Sequence, residues 1–496
     1  MAETVFSALA ISSSDSKVIA KKSSSATVRP SIKNPFWSAA QPYVGGTPDD
    51  TTSRQPPCRS AARASATASA PTGKRYRVTT PQALKILTTG NMVYPSVFDA
   101  ALPPLAYHDA ASPEDAHKLI GQAREQSPIA MGPYGPEVLT YDLARTVMRD
   151  PRFSMPKGIG LVVQGITSGP VWDRVSKLII SYDGPEHLRL RRLVSRAFTP
   201  RAVERLRSTC IEVITELVDR VAAVGSCDVV AELTGPYPVP IICALLGTPR
   251  HDWELFSRLA EDISSVFGTN VAAEESTILC AWDQLDAYLK GMIARRRQSL
   301  SDDLISELIR AEENGDRLTH DELLSLAAFL LVAGTDTSRN QLAAAVQVLC
   351  DYPEQWALIA EHPELAPQAV EEIMRHFPIT FMTLRVAAED VELDGLLIPA
   401  GAFVLVNTAG ANRDPAVYDD ADRLDITREG APPMLTFGGG AHYCLGASLA
   451  RLELVEGLRV ITRRLPPPRS AGPVPWRPLI GSSGPTALPV EFDIRR

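Results

Sequence analysis

Beyond residue 76, apolar and polar positions recur mainly with the 3.6-residue period of helices. Thr199 followed by Pro200 predicts an N-cap with proline at the first helical position, opening an amphipathic segment that ends near Gly225. Thr319 with Glu322 three residues on predicts a capping box, and the helix it starts runs at least to about Leu349. At 1.5 Å per residue such a helix is ~45 Å long and crosses a whole domain. A third helix begins near Pro367, carries AVEEIMRHF and stops before Pro378. Strand-like segments follow: RVAAEDVEL, a turn at Asp394-Gly395, then LLIP and AFVLVNT. A last helix from about Gly446 to Leu465 is stopped by Pro466-Pro467-Pro468, and LPVEFDI near the C-terminus reads as one more strand. There is no internal repeat and no strand–helix alternation, so the expected fold is mainly α with a small antiparallel β-sheet region.

Composition narrows the function classes. The 496 residues are 45% hydrophobic and 22% charged, enough to bury a large core. A net charge of −8 argues against general nucleic-acid binding, which needs a concentrated basic face. Seven cysteines at 58, 210, 227, 243, 280, 350 and 444 form no CxxC pair, which argues against a disulfide scaffold or a structural zinc site. The charge is uneven: residues 1–75 hold ten Lys or Arg against four Asp or Glu, together with fourteen Ser, seven Thr and thirteen Ala. Such a segment cannot offset its ordering entropy, so a disordered basic extension is expected, with an organellar transit peptide as one reading of it. The apolar stretch LAAFLLVAG, Leu326 to Gly334, is nine residues long and runs into Thr-Asp-Thr-Ser. No transmembrane segment is expected. The chain reads as soluble and cytoplasmic, or as plastid or mitochondrial if residues 1–75 are a targeting peptide.

The candidate chemistry lies in FGGGAHYCLG, Phe437 to Gly446, a glycine-rich loop that holds one cysteine and runs into a helix. A thiolate at a helix N-terminus is favoured by the dipole and the unpaired N–H groups. A single cysteine ligand suits a metal whose other ligands come from elsewhere, as in haem-thiolate ligation. The bland alternative is a small buried hydrophobe. A phosphate cradle is a poorer fit, since the loop lacks a GKS or GKT ending.

Phe437, Gly440, Cys444 and Gly446 match FxxGxxxCxG at every fixed position, and on these residues the chain resembles the cytochrome P-450 family. Three further segments stand in the family's order. AGTDTS, Ala333 to Ser338, resembles its oxygen-activation segment; EIMR, with Glu372 and Arg375, its ExxR pair; and ANRDP followed by DRLD its meander. With DGPEHLRLRRLVSRAFTPR upstream, the resemblance covers roughly residues 80–496, is closest to the soluble bacterial type, and implies one haem domain over 76–496.

The resemblance assigns roles residue by residue. It implies Cys444 as the axial ligand of haem b. Asp336 and Thr337 become an acid–alcohol pair moving protons toward bound dioxygen, with Gly334 just before them leaving room. Glu372 and Arg375 become a buried structural pair joined by a meander residue, for which Arg423 is the candidate. His187 and Arg191, four apart on one helix face, become contacts for the haem propionates together with Arg385 and His442. DRLD departs from the family in having Leu424 where an aromatic is common. No reductase sequence follows Cys444, so electrons from NAD(P)H are expected through a separate ferredoxin and ferredoxin reductase. Helical geometry places Arg189, Arg192 and Arg196 opposite His187 and Arg191, as a basic stripe for an acidic ferredoxin. The implied activity is monooxygenation, by hydroxylation or epoxidation, of a lipophilic small molecule, which GIGLVVQGI and FPITFMTL also suggest. Two other classes are a haem carrier or sensor, and a cysteine hydrolase using Cys444 with His442 as base.

Overall fold

Thr319 accepts the Glu322 N–H at 3.2 Å while the Glu322 carboxylate takes the Thr319 N–H at 2.7 Å, closing the expected capping box. The central helix it starts spans His320–Cys350 in a computed structural model of the chain, which describes residues 94–195, 198–313 and 318–494. The extension 1–75, with its targeting reading, and Arg196 lie outside the described residues. All that is described falls within one compact unit, Ala70–Arg496.

The central helix is apolar on nearly every side, with Leu323, Leu331, Leu342, Ala343 and Leu349 fully buried. A helix of that character must be covered all round. Helices Pro238–Leu246, Trp253–Ser264 and Ala447–Arg464 pack against it. Val229–Leu246 is long and apolar enough to cross a membrane, but it is mostly buried inside the fold and serves as core. Thr199 caps Pro200–Glu204 through the Ala202 N–H, and the expected single segment resumes as a second helix, Arg207–Ala222. The helix carrying EIMR is Ala366–His376.

Ten strands are present among the described residues: β1 Ile129–Gly132, β2 Gly135–Val138, β3 Phe153–Ser154, β4 Ser226–Asp228, β5 Met382–Ala387, β6 Val391–Leu393, β7 Leu396–Ile398, β8 Phe403–Asn407, β9 Arg469–Ser470 and β10 Pro489–Glu491. The expected Asp394-Gly395 turn joins β6 to β7, both residues having positive φ (54° and 76°) as a tight hairpin demands. The main sheet has the order β1-β2-β8-β5-β3. It departs from the purely antiparallel expectation at one place: β2 and β8 run parallel, Glu137 opposite Leu405. These two strands are joined through most of the helical body, and a long connection of that kind permits a parallel pairing that a hairpin cannot. Val138, Val147, Met148, Val404, Val406 and Leu435 form the core beneath the sheet, which sets Met148 against the cysteine loop and lets β5 carry Arg385 inward.

Candidate functional site

The loop from Phe437 to Gly446 is shaped by its own backbone. The Cys444 N–H donates to Phe437 O at 2.9 Å, and the Gly438 N–H donates to Leu435 O at 2.8 Å. Gly440 has φ +64°, and a Cβ there would lie 2.2 Å from the Met148 carbonyl oxygen, so only glycine fits. Arg451, one turn into the helix Ala447–Arg464, lies 4.5 Å over the Phe437 ring, donates to Glu371 at 2.5 and 3.0 Å, and reaches the Tyr443 hydroxyl at 3.2 Å. The loop is thereby held from both flanks.

Cys444 is a free thiol and solvent-accessible. Protein nevertheless crowds its sulfur closely, so desolvation raises its pKa, against the Gly446 N–H and the charges of Arg191 and Arg451. The expected lowering by a helix N-terminus is outweighed by that desolvation, and the helix proper begins only at Ala447.

Four basic side chains gather beside this loop. The His187 and His442 rings stack at 4.1 Å. Asp183 Oδ1 lies 3.2 Å from His442 Nε2, and Asp183 Oδ2 accepts the Met155 N–H at 2.6 Å. Arg385 donates to Met155 Sδ at 3.1 Å, and Arg191 donates to the Tyr443 carbonyl. Burial works against the Asp183 carboxylate, yet the His442 contact and the backbone N–H groups hold its pKa at about 2. Burial, with His442 and Arg191 nearby, takes His187 down to about 4. Arg385 is 3% exposed, and burial brings it down to about 10. Among the described residues no carboxylate forms an ion pair with Arg385, and buried His187 Nδ1 has no hydrogen-bond partner. His442 turns to Asp183, whereas a hydrolase dyad would need it on the Cys444 sulfur.

On the central helix, Thr337 is exposed and its hydroxyl donates to Ala333 O at 2.8 Å. The neighbouring Asp336 is buried and points elsewhere: Arg339 at 2.5 Å, Asn340 Nδ2 at 3.1 Å, Ser482 Oγ at 3.2 Å, and Arg477 Nη1 at 2.9 and 3.0 Å. Sequence reasoning missed Arg477 and Ser482, which come from a segment about 140 residues away with no motif of its own. At Gly334 a Cβ would sit 3.0 Å from Ile242 Cδ1, so the missing side chain also lets the helix Pro238–Leu246 approach.

Glu372 and Arg375 pair at 2.7 and 2.8 Å, both nearly fully buried. Arg375 also donates to the carbonyls of Asn412, Ala421 and Arg423. The third charged member of this group is Arg428, whose Nε lies 3.2 Å from Glu372 Oε1, and not Arg423 as the sequence suggested. The Arg423 side chain is 67% exposed and pairs loosely with Asp425 at 3.7 Å; only its carbonyl takes part. The meander turns its backbone to Arg375 at residue 423, which sends that side chain outward. The expected basic stripe is also thinner than helical geometry suggested, since Arg189 pairs with Glu322 at the start of the central helix.

The profile of the cytochrome P-450 family matches residues 173–464. This chain belongs to the cytochrome P-450 family. Luteothin monooxygenase of Streptomyces thioluteus is 39% identical over 398 residues, 79% of this chain and 97% of the relative. Mycinamicin IV hydroxylase/epoxidase of Micromonospora griseorubida is 41% identical over 394 residues, 76% of this chain and 97% of the relative. Among solved structures, CalO2 matches with a TM-score of 0.74 at 29% identity, covering 79% of this chain and 99% of its own. This cytochrome P-450 is an oxidoreductase of the monooxygenase type, and its family uses haem-thiolate iron and dioxygen. The residues present fit that group: an accessible thiol, a buried guanidinium without a carboxylate and an orphaned histidine nitrogen are what an iron porphyrin with two propionates would engage.

Proposed function

We propose that this cytochrome P-450 inserts one atom of dioxygen into a lipophilic small molecule, by hydroxylation or epoxidation, with Cys444 as the axial ligand of haem b. The observation that carries the reading is the grouping of His187, Arg191, Arg385 and His442 beside an accessible Cys444. The haem supplies the oxygen-activating chemistry when bound. The chain's own residues do the rest: the four basic groups would neutralise and orient two propionates, Phe437, Gly440 and Gly446 would shape the loop around the sulfur, and Gly334 would leave room beside the central helix. Thr337 would hold a proton-donating hydroxyl near the reacting oxygen, and Asp336 would supply that proton. Relatives named for luteothin and mycinamicin IV support a substrate of natural-product type. Their bacterial sources support a cytoplasmic setting.

Two electrons per turnover would come from NAD(P)H through a ferredoxin reductase and a ferredoxin. Exposed Arg192, on the helix Gly184–Ser195 that carries His187 and Arg191, is the proposed steering charge for an acidic ferredoxin. Arg192→Glu should slow the first electron transfer at low ionic strength without altering substrate affinity; an unchanged rate would place docking elsewhere. The test of the whole reading is the spectrum of the purified protein, reduced under carbon monoxide. A thiolate-type Soret band that is lost in Cys444→Ser supports it, and an imidazole-type spectrum in the wild type overturns it. A screen of lipophilic natural products for the ferric spin-state shift then identifies the substrate class.

A further inference from the structure

The helix Pro113–Gln126 packs against the short helix Thr408–Asn412, and a cavity of about 280 Å³ opens beside their contact. The two backbones approach closely where only glycine fits: a Cβ on Gly410 would lie 2.7 Å from Ile120 Cγ2. Gly121, which lines the cavity, has the opposite character. It stands in mid-helix, where glycine is a poor helix former, and a Cβ there would meet no packed neighbour within 4 Å. Packing does not require this glycine; what its missing side chain preserves is the cavity. Arg124, also lining it, is half-buried and donates through Nη1 to Gly410 O at 2.6 Å. Among the described residues no carboxylate stands within ion-pair distance of its guanidinium. In the same wall His117 is 6% exposed, its ring lies 5.0 Å from that of Phe381, and its buried Nε2 has no hydrogen-bond partner. A polar atom in a native interior is expected to have one.

We infer that this cavity is a second ligand site, taking a small organic monocarboxylate with hydrogen-bond donors at its far end. Its inner wall is cationic. Arg124 presents a guanidinium, whose fork matches the two oxygens of a carboxylate. Arg413, 3% exposed, is fixed on His376 O at 2.7 and 2.9 Å and held only loosely by Glu114, at 3.3 and 3.5 Å, and by Asp422 at 3.5 Å. His117 is the second donor: burial, with Arg413 and His376 close by, holds its pKa well below the usual value, so the ring is neutral and can carry its proton on Nε2. The rim has the other sign, since Glu114, Glu125 and Asp422 are all exposed. Three carboxylates at the mouth disfavour a phosphate-like dianion and can accept donors from the outer end of a ligand. The volume is just under the ~300 Å³ at which small-molecule sites begin, which suits a ligand of roughly ten non-hydrogen atoms. None of the lining residues belongs to the group beside Cys444, so the inference stands apart from the haem reading and from the oxygenated substrate.

The experiment uses the haem-loaded full chain with 4-phenylimidazole on the iron, so that the reaction site is filled, and titrates 4-aminobenzoate, benzoate and benzamide by calorimetry. Benzoate and benzamide share a shape and differ in charge. 4-Aminobenzoate should bind at one site per chain and more tightly than benzoate, and benzamide should bind about ten-fold or more weakly than benzoate. Arg124→Gln should weaken both carboxylates about ten-fold and leave benzamide unchanged. Gly121→Leu, which fills the cavity from a position that touches nothing else, should abolish binding while Tm holds or rises. No binding of either carboxylate, equal affinity for benzamide and benzoate, or undiminished benzoate binding in Gly121→Leu would each overturn the proposal. Inorganic phosphate displacing 4-aminobenzoate as strongly as benzoate does would overturn the assignment to a monocarboxylate. Should Arg124→Gln not hold haem, Gly121→Leu alone decides the location and benzamide decides the charge.

Discussion

Arg423 and Arg428 stand five residues apart in one irregular stretch, yet the first points to solvent and the second reaches a buried carboxylate. Charge-assisted hydrogen bonds to buried groups contribute more than exposed pairs do. Arg428→Ala should therefore lower unfolding stability by about 2 kcal/mol, and Arg423→Ala by less than about 0.5 kcal/mol, in denaturant titrations. The reverse order would restore the sequence-based choice. The ExxR spacing made Glu372 and Arg375 legible, because i, i+3 puts them on one helix face. Their partner was not legible, since Arg413, Arg423 and Arg428 are alike in composition and only the backbone path separates them. Arg477 was hidden for the same reason.

At the scale of elements, the caps were readable because they act over three residues. Thr319→Ala should cost about 1 kcal/mol, measured as a loss in denaturant midpoint with unchanged slope. What was not readable came from pairings distant in sequence, such as β2 with β8, which brings Glu137 into the core beside Asn407 at 3.1 Å. Burial pushes Glu137 from 4.5 up to about 7, and burial pushes Glu453 up to about 8 against a Ser338 hydrogen bond. Both carboxyls bind their proton more tightly when folded. Their contribution is complete below about pH 4.5 and is lost as pH rises through 7 to 8. His376 has the opposite sign: burial first, then Arg413, takes it from 6.5 to about 3, so its contribution is present above pH 6.5 and lost on acidification toward 3. With two such carboxyls against one such histidine, these groups together place the peak in Tm near about pH 4.5. Glu453→Gln should flatten the alkaline limb while leaving the acid limb in place, and an unchanged alkaline limb would show that Glu453 is ionised without penalty.

For the molecule as a whole, the Ser/Ala/Thr-rich stretch 1–75 should be dispensable, because its composition gives it no means of contributing a core. A truncation starting near residue 76 should keep the thiolate-type carbon monoxide band and the wild-type Tm within about 2 °C, since surface changes that touch no core rarely move stability by more than ~0.5 kcal/mol. Loss of haem in that truncation would refute it. The meander tells a different story about tolerance. Irregular surface backbone usually accepts insertions. Between Asn412 and Arg423, however, three carbonyls converge on the single guanidinium of Arg375. That side chain works as a gauge: it cuts the strand-free stretch to a fixed length, so one added residue there would pull at least one carbonyl off its mark. Related chains should vary in length at the exposed Asp394-Gly395 turn and keep the span from 412 to 423 constant, although neither region has the regular ladder that normally enforces such a count.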